Sequence, residues 1–457
     1  MMDADETFEK TGGNLTPALG ACMKRLIGFT AVLCLVAAMV GCGGAIHSGS
    51  LAYVSNSGVS SSTGFTVFDV NTDGTLTAST ISPVTAPAPK VIQFAANKKW
   101  AYFLDATGAN IYAYESSGNG QLPLQIGVYP LNAPGTALVI NPTSSFLYVT
   151  IAGNLPSTQQ LITYLIQNDG SLSARGSQFT PYISQLLMSP SGGVLYGLSP
   201  SGNIPGDIAA VVSWTLNASS GVATSAIGTN PLPVGTSPDY MIQSANGNFL
   251  YVLDNQQTSL YPNLSCVGLP ICPAGLSPNF YGFTTASTGI LSPMGGTASG
   301  VFNENADLIT GKFPTNPVAG AISSDGRFLF IVNQGTANVS AFTLNATTGE
   351  PTEVPGTLVT VVTNSGSTQS STQSPFDCGI GTTTATSCTA PSFAAIAPAN
   401  NALYVLQEGN SLAIPPVSSG LFQLAIDGNT GRLRDLSPVS PALTAGTLNV
   451  PTWITIK

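Results

Sequence analysis

The segment FLYVL at 249–253 belongs to a pattern that recurs along most of this chain. It is an apolar stretch with an aromatic residue, almost always tyrosine, near its centre. The seven copies are LAYV at 51–54, WAYFL at 100–104, FLYV at 146–149, VLYGL at 194–198, FLYVL at 249–253, FLFIV at 328–332 and ALYVL at 402–406. Such internal repetition is typical of solenoids, propellers and other repeat architectures.

Each repeat contains further segments with the character of β-strands. Six copies follow another apolar run and a tight turn, as in APKVIQFAANKK at 88–99. After each copy comes a segment with strand-like alternation, and a Gly-containing turn then leads into a fourth segment. The alternating segments are FTVFDV at 65–70, IYAYE at 111–115, LITYLI at 161–166, VVSWTL at 211–216, FYGFT at 280–284, VSAFTL at 339–344 and LFQLAI at 421–426. The sequence therefore predicts four strands per repeat.

The first repeat lacks its preceding strand, and an unassigned strand, PTWITI at 451–456, ends the chain. In a closed ring, the strand that the first repeat lacks is supplied by the other end of the chain, and this closure removes exposed sheet edges. We therefore predict an all-β, seven-bladed β-propeller over 51–457. Its four-stranded antiparallel blades close where the C-terminal strand pairs with the N-terminal repeat. A pair of β-sandwiches, the alternative, would not explain the split first repeat.

These repeats, with YV-type strands after short turns and an xGxL hairpin in each blade, resemble the seven-bladed lactonase family. That family includes 6-phosphogluconolactonase and carboxymuconate lactonizing enzymes. The resemblance covers 51–457 and implies the propeller fold and lactone hydrolysis. Family members that act on anionic lactones are thought to use His, Arg and Glu near the channel. The single histidine here, His47, precedes the first repeat, so no family catalytic residue transfers by position.

Composition limits the function classes. The 457 residues are 43% hydrophobic, which is enough for a packed core, despite 49 glycines and 33 prolines. Only 7% are charged, and the net charge is −9 with 12 basic residues. Nucleic-acid binding requires clustered Lys and Arg, so no nucleic-acid partner is expected.

The N-terminus has the features of an export signal. Residues 1–22 look like a misassigned translation start or a cytosolic stub. Residues 23–41 combine a short basic region with an apolar run, as a signal peptide does, and 42–50 form a tether. The run is too short for a spanning helix. Cys42, within GCGG, resembles the lipidated cysteine of bacterial lipoproteins; the alternative is an ordinary secretory signal with an incidental cysteine.

Lipidation at Cys42 predicts an exported lipoprotein of the bacterial cell envelope with the membrane as a partner. Gly43 follows this cysteine where some inner-membrane lipoproteins carry Asp, so the outer membrane is preferred. We expect a monomer.

Four cysteines in the propeller segment form two local pairs, Cys266 with Cys272 and Cys378 with Cys388. Two local disulfides are favoured in an oxidising compartment, although four cysteines allow three connectivities. Neither spacing is that of a CxxC metal site, and free buried thiols would fit only if the export signal is misread.

Familiar catalytic and metal motifs are missing from the repeats. A Ser-His-Asp triad is excluded because no histidine lies within them, and there is no GxSxG elbow. Asp69, Asn71, Asp73 and Gly74 match the start of an EF-hand, but Thr80 stands where the closing Glu should be. A hairpin turn is the preferred interpretation. No metal and no cofactor are expected.

The longest connections all fall on one predicted face of the propeller, the face of the second-to-third and blade-to-blade links. Long loops on one face of a rigid scaffold commonly build a binding surface. Polar residues at or just after the tyrosine strands are expected at the channel mouth on that face. The candidates for ligand binding are Asn56, Asp105, Asp254, Asn255, Asn333, Gln334 and Glu408. The competing interpretation is that such side chains cap local backbone.

Two functions therefore remain open. The first is a lipid-anchored binding or interaction module that takes an envelope glycan, a protein or a small lactone through its long-loop face. The second is a lactone hydrolase related to 6-phosphogluconolactonase, with a carboxylate of Asp105, Asp254 or Glu408 activating water.

Overall fold

The strand pattern of the sequence forms four-stranded sheets in the computed structural model. The structure describes residues 49–56, 64–82, 84, 86–153, 159–200, 209–225, 231–235, 237–255, 280–295, 300–302, 304, 314, 316–335, 338–354, 359–362, 368–371, 391–407, 420–436 and 451–457. In chain order the strands are β1 Leu51–Asn56, β2 Phe65–Val70, β3 Leu76–Ala78, β4 Pro89–Phe94, β5 Trp100–Asp105, β6 Asn110–Glu115, β7 Leu124–Pro130, β8 Gly135–Ile140, β9 Phe146–Ile151, β10 Gln160–Ile166, β11 Leu172–Phe179, β12 Gln185–Met188, β13 Val194–Ser199, β14 Ala210–Leu216, β15 Ala223–Ser225, β16 Leu232–Pro233, β17 Pro238–Gln243, β18 Phe249–Asp254, β19 Phe280–Thr285, β20 Leu291–Pro293, β21 Val301–Phe302, β22 Pro317–Ile322, β23 Phe328–Asn333, β24 Asn338–Leu344, β25 Pro351–Glu353, β26 Val359–Val362, β27 Thr368–Ser371, β28 Pro391–Ile396, β29 Ala402–Gln407, β30 Gly420–Ile426, β31 Leu433–Asp435 and β32 Pro451–Ile456.

Seven antiparallel sheets form the blades of a β-propeller, as the sequence predicted. Blade 1 has the order β32-β1-β2-β3, and blades 2 and 3 contain β4 to β7 and β8 to β11. Blade 4 contains β12 to β16, blade 5 β17 to β21, blade 6 β22 to β25 and blade 7 β28 to β31. The predicted tyrosine strands are the second strands of their blades.

The ring closes at blade 1, where the last strand of the chain is the innermost strand. β32 pairs antiparallel with β1, with Tyr53 opposite Thr455, and Lys457 donates its backbone N–H to Leu51 at 2.8 Å. The innermost strands contact one another in the closed order β32, β4, β8, β12, β17, β22, β28 and back to β32. The predicted closure by the C-terminal strand is confirmed.

The outermost strands differ most from the repeat pattern. β7 and β11 have 7 and 8 residues, whereas those of blades 1, 6 and 7 have 3. In blades 4 and 5 the outer strand is interrupted. Two short strands, one after the other, pair with the same edge of the third strand. The two-stranded hairpin of β26 and β27 lies in the connection between blades 6 and 7 and was not predicted.

Buried tyrosines join neighbouring blades, which explains the aromatic residue of the repeat. In five blades the hydroxyl of the second-strand tyrosine donates to the backbone oxygen of the glycine in the next blade's outer hairpin turn. We call these contacts the tyrosine clasps; they join Tyr53 to Gly120, Tyr102 to Gly170, Tyr148 to Gly221, Tyr251 to Gly349 and Tyr404 to Gly74. The last clasp connects blade 7 to blade 1. Blade 6 carries Phe330 at this position, without a hydroxyl.

The receiving turn needs glycine for two reasons, as Gly170 shows. Its φ is +81°, in the left-handed region that other residues rarely adopt. A Cβ there would lie 2.7 Å from the Trp100 ring. The glycine of the hairpin motif therefore lets the turn approach the neighbouring blade closely enough to accept the tyrosine hydroxyl.

Several predictions from the sequence concern residues outside the described ranges. They include the signal segment, Cys42 and the four cysteines at 266, 272, 378 and 388. Among the described residues, no helix is long and apolar enough to cross a membrane.

Candidate functional site

A β-bulge recurs at the start of the innermost strand in six of the seven blades. The residue opposite the end of the second strand is Pro in five blades and Gly135 in the sixth, and the next residue is left out of the pairing. A bulge of this kind re-aims one side chain. We call these residues the bulge ring; they are Lys90, Thr136, Asp239, Val318, Ser392 and Thr452. They lie at one end of the innermost strands and therefore around one mouth of the channel.

Lys90 and Asp239 are the exposed charged members of the bulge ring. Surrounding protein partly desolvates both groups: it lowers the pKa of Lys90 and raises the pKa of Asp239. Among the described residues, the one hydrogen-bond partner of the Lys90 Nζ is the Gly135 backbone oxygen, at the long distance of 3.4 Å. Within the described part of the chain neither side chain forms an ion pair. The mouth thus carries two separate charges of opposite sign, neither of them paired with another described residue.

Three further members of the bulge ring are less available. The Thr136 and Thr150 hydroxyls are 2.8 Å apart and buried. Val318 is apolar and partly buried. The Ser392 Oγ is buried and has no hydrogen-bond partner among the described residues.

Three aromatic rings fill the centre of the ring of strands, next to the bulge ring. Each ring directly follows a bulge residue in the chain: Tyr240, Phe393 and Trp453. The Phe393 ring centre is 5.8 Å from that of Tyr240 and 4.3 Å from that of Trp453. Tyr240 belongs to blade 5 and Phe393 to blade 7. Their contact therefore lies on the channel side of blade 6, which stands between these two blades in the ring. The contact requires both rings to project into the channel, where they form an apolar floor beneath the charged mouth.

The long connections begin and end at the same end of the propeller as the bulge ring. Pairing of Pro238 with Asp254 places the start of the innermost strand beside the end of the second strand. The links from β18 to β19, from β21 to β22 and from β29 to β30 leave or return at this end. The topology therefore brings the long-loop face and the charged mouth together.

Asp105, a predicted site residue, holds a tight turn. It ends β5 and is buried, and its Oδ1 accepts hydrogen bonds from the Thr107 hydroxyl at 2.7 Å and the Ala109 N–H at 2.9 Å. Its Oδ2 accepts from the Asn110 Nδ2 at 2.9 Å. These contacts are local capping of the turn after β5, which is the interpretation that competes with ligand binding.

Asp254 and Asn255 lie beside the connection that precedes β17. Asp254 is 1% exposed, and its Oδ1 accepts a hydrogen bond from the Ser237 N–H at 2.9 Å. The backbone N–H of Asn255 donates to the Ser237 oxygen at 2.8 Å. The carboxylate of Asp254 therefore binds the chain's own backbone.

Asn333 belongs to a buried polar cluster with Glu304 and Ser340. Its Nδ2 donates to the Glu304 Oε2 at 2.7 Å and to the Ser340 Oγ at 3.0 Å. All three residues are less than 10% exposed. Burial raises the pKa of Glu304 to about 7, although hydrogen bonds from Ser340 and Asn333 oppose the shift. Glu304 was not among the predicted site residues, because nothing in its local sequence marks it as buried.

The remaining predicted residues are placed as follows. The Gln334 Oε1 accepts a hydrogen bond from the Asn316 Nδ2 at 3.0 Å. Asn56 ends β1, and the structure describes its backbone only. Glu408 lies outside the described residues. The expected opening of Asp105, Asp254 and Asn333 onto the mouth is not observed, because all three are buried. Their part in ligand binding stays a prediction.

The groups at the mouth that can contact a polar molecule are an ammonium and a carboxylate. Within the described ranges no three His, Cys, Asp or Glu side chains cluster closely enough to hold a metal ion. The match to an EF-hand forms a hairpin turn, in which the Asp73 Oδ1 accepts from the Thr75 N–H at 2.9 Å and hydroxyl at 2.6 Å. Lys90 and Asp239 offer an ion-pair donor and an acceptor at the mouth.

A proline at the start of the innermost strands marks the bulge ring in the sequence. Five innermost strands begin with a proline, a variable residue and an apolar or aromatic residue. Examples are PKV at 89–91, PDY at 238–240 and PTW at 451–453. The variable residue is the bulge residue.

No family model matches the sequence, and no curated protein matches it. Solved structures do match the fold. A candidate 6-phosphogluconolactonase from Bacteroides uniformis is 14% identical, with a TM-score of 0.61 over 89% of this chain and 99% of that one. The periplasmic gluconolactonase of Pseudomonas aeruginosa is 16% identical, with a TM-score of 0.60 over 89% and 98%. A candidate 6-phosphogluconolactonase from Bacteroides fragilis is 16% identical, with a TM-score of 0.59 over the same shares. This chain therefore shares the seven-bladed propeller fold of lactonase-like proteins.

Proposed function

We propose that this protein is an exported β-propeller that binds a small polar ligand at the channel mouth on its long-loop face. The observation that carries the proposal is the bulge ring, which exposes Lys90 and Asp239 beside the aromatic floor. A concave, mostly apolar site with few polar groups is the usual form of a small-molecule site. The long connections would border this site.

The electrostatics of the mouth favour a ligand. Lys90 and Asp239 are each partly desolvated, and within the described residues neither has an ionic partner. A desolvated charge without a partner costs free energy, which a ligand can recover by supplying hydrogen bonds or countercharge. Arg327, by comparison, pairs with Asp325 at 2.7 Å on an exposed turn.

Lactone hydrolysis is the second candidate, and the carboxylate that favours it is Asp239. Its raised pKa makes it a better proton acceptor than an ordinary aspartate. Asp239 would take a proton from water as the water oxygen bonds to the lactone carbonyl carbon. The ring C–O bond would then break, and the leaving ring oxygen would take that proton from Asp239, which gives the hydroxy acid. The fold likeness to a gluconolactonase supports this candidate. Asp105 and Asp254 are less suited, because their oxygens bind the chain itself.

Anchoring and export complete the proposal. We propose lipidation at Cys42, with the outer membrane preferred, and two local disulfides between Cys266 and Cys272 and between Cys378 and Cys388. An envelope glycan or protein would be a further partner of the long-loop face. The periplasmic location named for one structural neighbour is consistent with export.

The test separates binding from turnover. Mature protein carrying Cys42→Ser would be titrated by calorimetry with neutral sugars, sugar acids and amino acids. Hydrolysis of neutral and anionic lactones would be followed in parallel. The variants are Lys90→Gln and Asp239→Asn at the mouth, with Glu408→Gln for the predicted acid outside the described residues. Lys99→Gln, in the exposed turn at the other end of β4, is the matched control.

Binding that either mouth variant weakens, without turnover, is the expected result. Lactone turnover abolished by Asp239→Asn would replace the binding module with the hydrolase. Neither binding nor turnover across the panels, in protein that unfolds cooperatively, would refute both candidates.

A further inference from the structure

We propose that the ligand of the channel mouth is a small zwitterion, bound through its anionic group at Lys90 and through its cationic group at Asp239. The inference rests on the proposed function and specifies the ligand class. It is drawn from the two charges of the bulge ring, which form no ion pair within the described part of the chain, and from the apolar floor between them.

The two charges are held apart by the ring. Lys90 lies in blade 2 and Asp239 in blade 5, three steps around a ring of seven, so they lie on opposite sides of the channel. Each occupies the same bulge position of its innermost strand. They therefore lie at the same level of the channel and cannot neutralise each other by direct contact along one wall.

A ligand with a single charge would satisfy only one of these groups. A monoanion at Lys90 would further desolvate Asp239 without giving it a countercharge, and a monocation would do the same to Lys90. A zwitterion with separated charges would form charge-assisted hydrogen bonds at both ends. The shift in pKa away from the charged form at both residues is consistent with this need.

The floor constrains the part of the ligand between its charges. Tyr240 and Trp453 are partly buried rings that follow Asp239 and Thr452 in the chain, and Phe393 lies between them. Such a surface favours contact with carbon atoms rather than with further charged groups. The ligand class is accordingly an amino carboxylate with a short apolar or weakly polar spacer.

The probe is a series of linear amino carboxylates in which methylene groups separate the ammonium from the carboxylate. Alkyl carboxylates and alkyl amines of the same length are the singly charged controls. Each compound would be titrated into the mature Cys42→Ser protein by calorimetry near neutral pH. The variants are Lys90→Gln, Asp239→Asn and the exchange of both charges, Lys90→Asp with Asp239→Lys. Lys99→Gln is again the control, and cooperative unfolding of each variant verifies folding.

We expect affinity to peak at one spacer length. That compound should bind about tenfold more tightly than the better of its singly charged analogues, as one added charge-assisted hydrogen bond allows. Asp239→Asn should remove this advantage without weakening the binding of the alkyl carboxylate, and Lys90→Gln should remove it without weakening the binding of the alkyl amine. The charge exchange should restore it, because the ligand can bind in the reverse direction.

Amino carboxylates that bind no better than singly charged compounds would overturn the inference. The proposed function would then stand if another compound loses affinity in Lys90→Gln or Asp239→Asn. The absence of any binding in either panel would refute the proposed function, and this inference with it.

Discussion

Replacing Glu304 with Gln should change how the stability of the propeller depends on pH. Glu304 is 1% exposed and accepts a hydrogen bond from the Asn333 Nδ2 at 2.7 Å, and burial raises its pKa from 4.5 to about 7. Glu353 adds a smaller effect in the same direction. A glutamine side chain has almost the same shape and can accept the same bond, but it cannot ionise.

The direction of the effect follows from proton binding. Below pH 4.5 the carboxyl is protonated in both the folded and unfolded chains and contributes no pH dependence. Between pH 4.5 and about 7 only the folded chain keeps the proton, so stability falls by about 1.4 kcal/mol per pH unit. Above pH 7 both states are ionised and the loss is complete. The full loss is about 3 kcal/mol, worked from the two pKa values.

The assay is urea unfolding of the wild type and Glu304→Gln at intervals from pH 4 to pH 8.5. The difference in unfolding free energy should shift by about 3 kcal/mol in favour of the variant across this range, mostly between pH 5 and 7. Glu115→Gln, at an exposed carboxyl of β6, is the matched control for the change of glutamate to glutamine. Parallel profiles for wild type and Glu304→Gln would refute the reasoning, since the buried carboxyl would then titrate alike in both states.

Three further outcomes are expected. Tyr102→Phe should cost about 1–2 kcal/mol, because it removes the clasp to Gly170 and leaves a buried backbone oxygen without its donor. Tyr112→Phe should change stability by less than about 0.5 kcal/mol, because no hydrogen bond of its hydroxyl is found among the described residues; equal losses in the two variants would contradict the role of the clasp. Trp453→Ala should cost about 3 kcal/mol in urea unfolding, because the ring packs against core clusters of several blades. Cys42→Ser should release the protein from membranes in fractionation, and retention there would exclude lipid anchoring at this residue.

Several elements were predictable because they depend on local patterns. Alternation of apolar residues specified the third strands to within about one residue, and Gly-containing turns marked the hairpins that follow. The tyrosine of the repeat was visible, but its clasp to a glycine of the next blade was not. The clasp depends on how closely two blades approach, which a one-dimensional pattern does not contain.

The candidate site was predicted less well than the fold. The face was chosen from the position of the long connections, and the charged mouth lies on that face. Lys90 and Asp239 were not among the predicted site residues, because β-bulges interrupt the two-residue period from which side-chain direction is inferred. One extra residue reverses which side chains face a given direction. Lys90 and Asp239 occupy bulge positions of innermost strands, whereas Asp105 and Asp254 end second strands and are buried.

The sequence by itself determined that this protein is a seven-bladed propeller closed by its last strand. Seven copies of one apolar pattern must be buried against each other, and a strand missing at one end and present at the other completes the first blade only when the chain closes into a ring. The tertiary structure alone decided which side chains reach the channel and what fills its centre. Tyr240, Phe393 and Trp453 come from three different blades, and their contact depends on the ring being closed. Local sequence cannot specify such contacts, because they join residues that only the completed fold brings together.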